Sequence, residues 1–274
     1  MKKSSVKVSV VIPCYNQALY VSEAIESVLN QTFPNIEIVI VNDGSSDNSS
    51  TIIETFSKKY SNIHFINNEE NQGVIYARNL AIEKATGEYI LPLDGDDIIE
   101  PTYIEKAVKI LDTDPEVGIV YCKAKLFGSK NEYWGLPEFN KDKFLKNNCI
   151  FCSALFRKTD FIRAGKYKTY MKYGFEDWEL WISFIELGLK PYRIDEILFN
   201  YRKYNEDSRT NLCSMHSKEM KDEIKKHHAD LYIEPLIRDL EIKSKKHKKY
   251  KKLFNIFSII CILEIIIIFC LVWL

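Results

Sequence analysis

The 274-residue chain predicts an α/β fold with a mainly parallel central sheet and flanking helices. Short apolar runs rich in β-branched residues recur through the first hundred residues, as buried parallel strands do. Stretches of helical spacing separate them, and strands alternating with helices imply βαβ units with right-handed crossovers. The length and a hydrophobic content of 46% suffice for one large domain with a real core.

Val6–Ile12 is the first apolar run, and Pro13 ends it. Leu19, Ala24, Ile25, Val28 and Leu29 then fall on one helical face. Ile36–Val41 reads as the second strand. It breaks at Asn42-Asp43-Gly44-Ser45-Ser46-Asp47, a cluster of turn and helix-capping residues. A helix to Tyr60 and a third strand, Ile63–Ile66, follow. Another helix lies between Gly73 and Gly87, and the fourth strand, Tyr89–Leu93, runs directly into Asp94. Beyond residue 115 the alternation loosens. Val117–Phe127 reads as a long strand, 128–148 as loop and short helix, and Ile150–Phe156 as a strand. Glu176–Leu187 is a helix stopped by Gly188, and Ile197–Tyr204 is a closing strand. The expected division is a catalytic domain at 1–213, a charged helical connector at 214–252 and an apolar segment at 253–274.

The formal charge of zero hides an uneven distribution. Residues 243–252 carry seven lysines and no acid, whereas the body 1–242 holds the remaining 31 bases against 37 acids. Such a body is not a polyanion binder, so no nucleic-acid partner is expected. As a helix, residues 253–274 would span roughly 33 Å, enough for a hydrocarbon core. Glu264 opposes insertion, but the many Ile and Leu residues outweigh it. With lysines immediately before that segment, the positive-inside rule expects the body at the cytoplasmic face of the cell membrane, held by a C-terminal anchor. The first residues lack the apolar core and cleavage site of a signal peptide, which agrees with that expectation. Seven scattered cysteines argue for a reducing compartment, and Cys149-x-x-Cys152 has no second pair to complete a zinc site.

In an open parallel sheet, ligands bind beyond the carboxyl ends of the strands. Three loops would converge there: Pro13-Cys14-Tyr15-Asn16, Asn42-Asp43-Gly44-Ser45 and Asp94-Gly95-Asp96-Asp97. Asp43 has a carboxylate free to accept from a base N–H, and Tyr15 offers a ring for a base to lie against. Asp94 and Asp96 can both point at one hard cation, Mn2+ or Mg2+, bridging protein to pyrophosphate. Each piece alone also fits a plain turn or a helix cap. Their conjunction, at the ends of the right strands and in the right order, points to a nucleotide diphosphate. No glycine-rich phosphate loop is present.

The chain resembles the inverting glycosyltransferase family 2, of GT-A fold and bacterial surface-polysaccharide type. The matching stretches are Val8–Asn16, Gln31–Phe33, Glu37–Asp47, Asn71–Asn79, Gly87–Asp97 and Gly174–Trp181. The resemblance implies that Asp43 reads the base, usually a uracil, and that Pro13 and Tyr15 contact the nucleoside. It gives Asp94 and Asp96 the metal-binding D-x-D, with Asp96 the direct ligand. Arg78 neutralises phosphate or pairs with an aspartate, and Asp177 is the catalytic base. A physical reason agrees with the last role: in a single inverting displacement one carboxylate must take the acceptor's proton. At a helix start that carboxylate is held ionised. Relatives often carry a histidine where Tyr204 stands, so the acidic pair is expected to carry more of the metal binding here.

The resemblance thus implies transfer from a nucleotide-sugar, a UDP-sugar, to an acceptor hydroxyl on a lipid-linked glycan in cell-surface polysaccharide synthesis. A nucleotidyltransferase also uses an α/β sheet and paired aspartates, but it opens with a glycine-rich loop where this chain has Pro-Cys-Tyr-Asn. A non-catalytic membrane-tethered module that binds a nucleotide-sugar would be expected to have lost an acid. Asp43, Asp94, Asp96 and Asp177 are all present.

Overall fold

The computed structural model describes residues 7–204, 208–233, 237 and 240–253. Strand β1 (Val8–Cys14) is buried throughout and pairs in parallel with β2 (Ile36–Asp43) on one side and β4 (Tyr89–Pro92) on the other. Strand β3 (Ile63–Asn68) extends the parallel set beyond β2. Helices α1 (Val21–Leu29), α2 (Ser49–Lys59) and α3 (Val74–Lys84) are the connections between these strands. A strand covered on both faces takes apolar side chains at most positions, which is why Val8–Ile12 and Ile36–Val41 read as apolar runs interrupted only by Ser9 and Glu37.

Beyond β4 the sheet turns mixed, not mainly parallel. The remaining strands are β5 (Ile98–Ile99), β6 (Val117–Gly128), β7 (Glu132–Trp134), β8 (Leu155–Arg157) and β9 (Lys190–Lys203). The order is β3-β2-β1-β4-β8-β6-β9-β5, with β7 pairing β6. β8 runs antiparallel to both β4 and β6, β5 antiparallel to β9, and β6 parallel to β9. A three-residue strand such as β8 has no hydrophobic pattern from which direction can be read.

Three boundaries differ from expectation. Ile150–Ala154 is buried or half-buried but lies outside β8, because apolar side chains also suit an irregular segment packed in the interior. β9 begins at Lys190, where Pro191 and four charged residues mask a strand that is partly exposed. Leu19 lies before α1 and is 80% exposed, so it is not on the buried face. An additional helix, α4 (Tyr103–Thr113), buries Tyr103, Ile104, Ala107, Val108 and Leu111 at helical spacing. Two short helices, α5 (Lys141–Phe144) and α6 (Lys158–Arg163), precede α7 (Glu176–Glu186).

One polar cluster ties the parallel strands together. Ser9 and Glu37 are register partners on β1 and β2, both buried. Glu37 accepts from Ser9 Oγ at 2.5 Å, Lys7 Nζ at 2.6 Å, and the Thr86 and Gly87 amides at 2.5 and 3.1 Å. α3 ends at Lys84, so Gly87 is not its stop signal. A Cβ on Gly87 would lie 2.4 Å from Ser9 Oγ, and that close approach to β1 is what requires glycine.

The chain forms two compact units, 1–227 and 228–274. The first ends with α8 (Ser208–Met215) and α9 (Ser217–His227). The second is helical at residues 229–233 and 240–253, with the lysines of 243–252 exposed. Among the described residues no helix is long and apolar enough to cross a membrane. Residues 254–274, which hold nearly all of the expected anchor, lie outside the described residues.

Candidate active site

The loops after β1 and β2 are stitched together by side chains of the Asp-Gly-Ser-Ser-Asp stretch. Ser45 Oγ accepts from the Asn16 amide, Ser49 Oγ from Gln17 and Asp47 Oδ2 from Ala18, each at 2.9 Å. Asn16 Oδ1 in turn accepts from the Ser46 amide at 2.8 Å. Burial opposes the charge on Asp47, but the donors from Ser49 and Ala18 outweigh it and hold its carboxyl below the usual range. Tyr15, at the crest of this loop, is 50% exposed.

Asp43 does not stand free. Its carboxylate accepts from Asn68 Nδ2 at 3.0 Å, the Gln72 amide at 3.1 Å and the Gly73 amide at 2.7 Å. These bonds fold the segment after β3 across the end of β2. Gly44 permits it: φ is +70°, and a Cβ there would lie 2.6 Å from the Asn71 nitrogen. A carboxylate has about four acceptor positions, so three donors leave room for about one more.

Asp94, Asp96 and Asp97 follow β4. Asp97 is buried and its Oδ1 accepts from the Arg202 amide at 2.8 Å, while its Oδ2 has no hydrogen-bond partner among the described residues. Burial, and then the neighbouring carboxylates, push the carboxyl groups of Asp96 and Asp97 above their usual range. Tyr204 Oη donates to Asp96 Oδ2 at 2.7 Å and its ring packs on Tyr20. Arg202 Nε donates to the Asp96 carbonyl at 2.8 Å, and its guanidinium lies over the rings of Tyr20 and Phe127. The end of β9, more than a hundred residues further along the chain, therefore fixes the acidic turn through Arg202 and Tyr204.

Arg78, on α3, is 1% exposed. It donates to Asp94 Oδ1 at 2.5 Å and Glu176 Oε1 at 2.6 Å. Of the two roles expected for it, pairing with an aspartate is the one seen. Burial disfavours the charged guanidinium, but Asp94, Cys152 and Glu176 more than offset this and hold it protonated. Glu176 opens α7, and Asp177 follows it. The turn before them is forced: Gly174 has φ +126° and Phe175, an uncommon residue for this region, has φ +62°. Asn148 Nδ2 donates to Asp177 Oδ2 at 3.3 Å.

All seven expected site residues, Pro13, Tyr15, Asp43, Arg78, Asp94, Asp96 and Asp177, line one cleft of about 1120 Å3. Small-molecule sites typically measure about 300–1,000 Å3, so this one has room for more than one ligand. The donor set fits a hard divalent ion: two carboxylates close enough that burial and then Asp94 raise the proton affinity of Asp96, lining a cleft open to phosphate and water. Among the described residues no three His, Cys, Asp or Glu side chains surround a common metal position, so a ligand would have to complete the shell.

Residues 9–178 match the family profile described as Glycosyl transferase family 2. The chain belongs to that family. An uncharacterized glycosyltransferase of Haemophilus influenzae is 28% identical over 252 residues, covering 86% of this chain and 77% of that protein. One from Rickettsia typhi is 34% identical over 210 residues, covering 72% of this chain and 64% of its own length. TuaG of Bacillus subtilis, named for teichuronic acid biosynthesis, is 30% identical over 74% of this chain and 82% of that protein. Among solved structures, S. aureus TarS 1–349 in complex with UDP-GlcNAc has a TM-score of 0.63 at 20% identity, covering 83% of this chain and 73% of that one. Mannosyltransferase PcManGT from Pyrobaculum calidifontis, in complex with GDP-Man and Mn2+, has the same score at 19% identity, with 83% and 69% covered. This likeness shows a shared GT-A-like α/β fold.

The family 2 site also contains residues that sequence reasoning misses. Glu176 is the second carboxylate on Arg78, 98 residues away; its only signal is its place beside Asp177. Asn148 carries no local signal, whereas Asp97 is marked by its place in the acidic loop and Tyr204 by standing where relatives often carry a histidine. Cys152, half-buried with Sγ 3.6 Å from Asp94 Oδ2, and Cys149, buried, both line the cleft. Neither cysteine lies on a strand.

Proposed function

We propose that this family 2 glycosyltransferase moves a sugar from a UDP-sugar to an acceptor hydroxyl with inversion at the anomeric carbon. The observation that carries the reading is one cleft wall shared by Asp43, Asp94, Asp96 and Asp177. Asp43 and Tyr15 would take the nucleoside, Tyr15 by its exposed ring. Asp96 and Asp94 would hold Mn2+ or Mg2+, which neutralises charge on the departing nucleotide. The acceptor oxygen attacks the anomeric carbon as that carbon's bond to the diphosphate oxygen breaks. The acceptor's proton passes to the Asp177 carboxylate, which the amide of Asn148 orients.

The acceptor in this proposal is a lipid-linked glycan of a surface polysaccharide, met at the cytoplasmic face of the membrane. Support comes from the TuaG likeness and from the exposed lysine helix preceding an apolar run. Deleting residues 253–274 should move the protein from the membrane fraction to the supernatant.

The purified protein with Mn2+ should hydrolyse a UDP-sugar slowly. Asp177→Asn should lose transfer by roughly 100-fold or more and still bind UDP. Near-normal transfer in that variant would overturn the base assignment, and transfer that survives EDTA would overturn the metal assignment.

A further inference from the structure

The cleft has a second half that the donor and the base do not use. Its wall is aromatic, and its packing can be built from strand register. Ala124 on β6 pairs with Trp134 on β7 and with Phe199 on β9, so the three form one cross-strand row. The alanine leaves a gap between two large rings. Phe151, from the irregular segment before β8, fills it, with ring centroids 4.3 Å from Phe199 and 6.1 Å from Trp134, both stacked. Tyr201, two residues beyond Phe199 and so on the same face of β9, closes against Trp134 at 5.0 Å.

All four rings border the cleft, but unequally. Phe199 and Phe151 are buried, whereas Trp134 and Tyr201 are half-buried and offer more surface to it. The indole is carried to the rim by a three-residue strand that, among the described residues, pairs with β6 alone. The location is also informative. Asp43 and Tyr15 lie at the β1–β2 end of the sheet, and Asp94 and Asp96 follow β4 near its middle. The aromatic wall stands at the β6–β9 end, joined to the base through the run Asn148–Phe151, whose first residue holds Asp177.

We propose that Trp134 and Tyr201 form a stacking subsite for the acceptor, taking the apolar C–H face of a pyranose ring next to the one that carries the attacking hydroxyl. An aromatic edge gives large contact area and fixed geometry without demanding a particular hydroxyl pattern. It suits a glycan held by one face while Asp177 addresses one hydroxyl. The proposal rests on the transferase reading above.

The test uses the full chain with saturating UDP and three neutral probes: cellotriose, chitotriose and β-1,4-galactotriose. Trp178 and Trp181 are 1% and 0% exposed and Trp273 lies outside the described residues, so a fluorescence change is assigned to Trp134 where Trp134→Leu abolishes it. At least one trisaccharide should perturb that emission. By calorimetry, Trp134→Leu, which keeps apolar bulk but removes the ring, should bind the same trisaccharide roughly tenfold more weakly, and Trp134→Tyr should restore most of the affinity. Tyr201→Leu, on the neighbouring strand, should show the same loss. UDP affinity should be unchanged in all three variants. If UDP binds and no trisaccharide does, or if the leucine variants bind it as tightly as wild type, the subsite is refuted. If UDP itself does not bind, the donor reading falls and takes this proposal with it.

Discussion

Replacing Arg78 with methionine removes one positive charge from between two carboxylates and leaves a side chain of similar length in its place. Arg78 is 1% exposed, and the side chains of Glu176 and Asp94 are 7% and 20% exposed. Removing one partner of a buried ion pair costs about 3–5 kcal/mol, because the remaining charge stays desolvated. Two carboxylates lose this cation here, although the cleft wets Asp94, so the middle of that range, about 4 kcal/mol, is expected. For a domain of this size that corresponds to a fall in Tm of roughly 8–16 °C. The loss should depend on pH in a definite direction. Without the guanidinium, the folded state raises the proton affinity of these two carboxylates. A raised folded pKa means stability that is full below the unfolded value, about 4.3 for glutamate, and lost as pH rises. The gap between wild type and Arg78→Met should therefore be widest near neutrality and narrow as pH falls toward 4. Urea denaturation at several pH values measures it. A gap below about 1 kcal/mol at pH 7, or one that widens on acidification, would refute the strut between α3, the acidic turn and α7.

Tyr204→Phe deletes the hydrogen bond to Asp96 and leaves the ring on Tyr20. Loss of such an outer partner typically weakens metal binding about 10–100-fold, readable as the Mn2+ affinity in the presence of UDP by electron paramagnetic resonance; unchanged affinity would remove Tyr204 from the site. Glu37 predicts a different pH response. Burial pushes its carboxyl up, but the donors from Lys7, Ser9 and Thr86 prevail and lower its pKa from 4.5 to about 2. Its stabilisation, about 3 kcal/mol, is complete above pH 4.5 and disappears as pH falls through 2, so the stability gap to Glu37→Gln should shrink below pH 4.5. Gly44→Ala places a methyl 2.6 Å from the Asn71 nitrogen at φ +70°. It should lower stability by at least about 1–2 kcal/mol in thermal unfolding and loosen the loop on Asp43; a loss below half of that would show that the loop can yield.

The parallel half of the fold was legible because its central strands, β1, β2 and β4, are covered on both faces. Val8–Ile12 and Ile36–Val41 are apolar apart from Ser9 and Glu37, and such a run followed by a polar loop has few other readings. Asp43, Asp94 and Asp96 were legible for the same reason, since a strand end marks where a ligand meets the sheet. The mixed half was not. β8 is too short to carry a pattern, and Pro191 with its charged neighbours disguises the start of β9. Partners brought from afar were also invisible: Glu176 meets Arg78, and Tyr204 meets Asp96, across 98 and 108 residues. What Asp43 does with its carboxylate was misjudged because backbone amides of a neighbouring loop leave no trace in residue identity.

The stitching of Asn16, Gln17 and Ala18 to Ser45, Asp47 and Ser49 bears on how binding energy is used. A recognition surface already locked by its own hydrogen bonds loses little freedom when a ligand arrives, so contact energy is not spent on ordering it. A nucleotide should meet the β1–β2 end of the cleft as a rigid mould, with fast association and little heat-capacity change beyond that of the area covered. An Asp47→Ala variant would make the same contacts at the cost of freezing two loose loops.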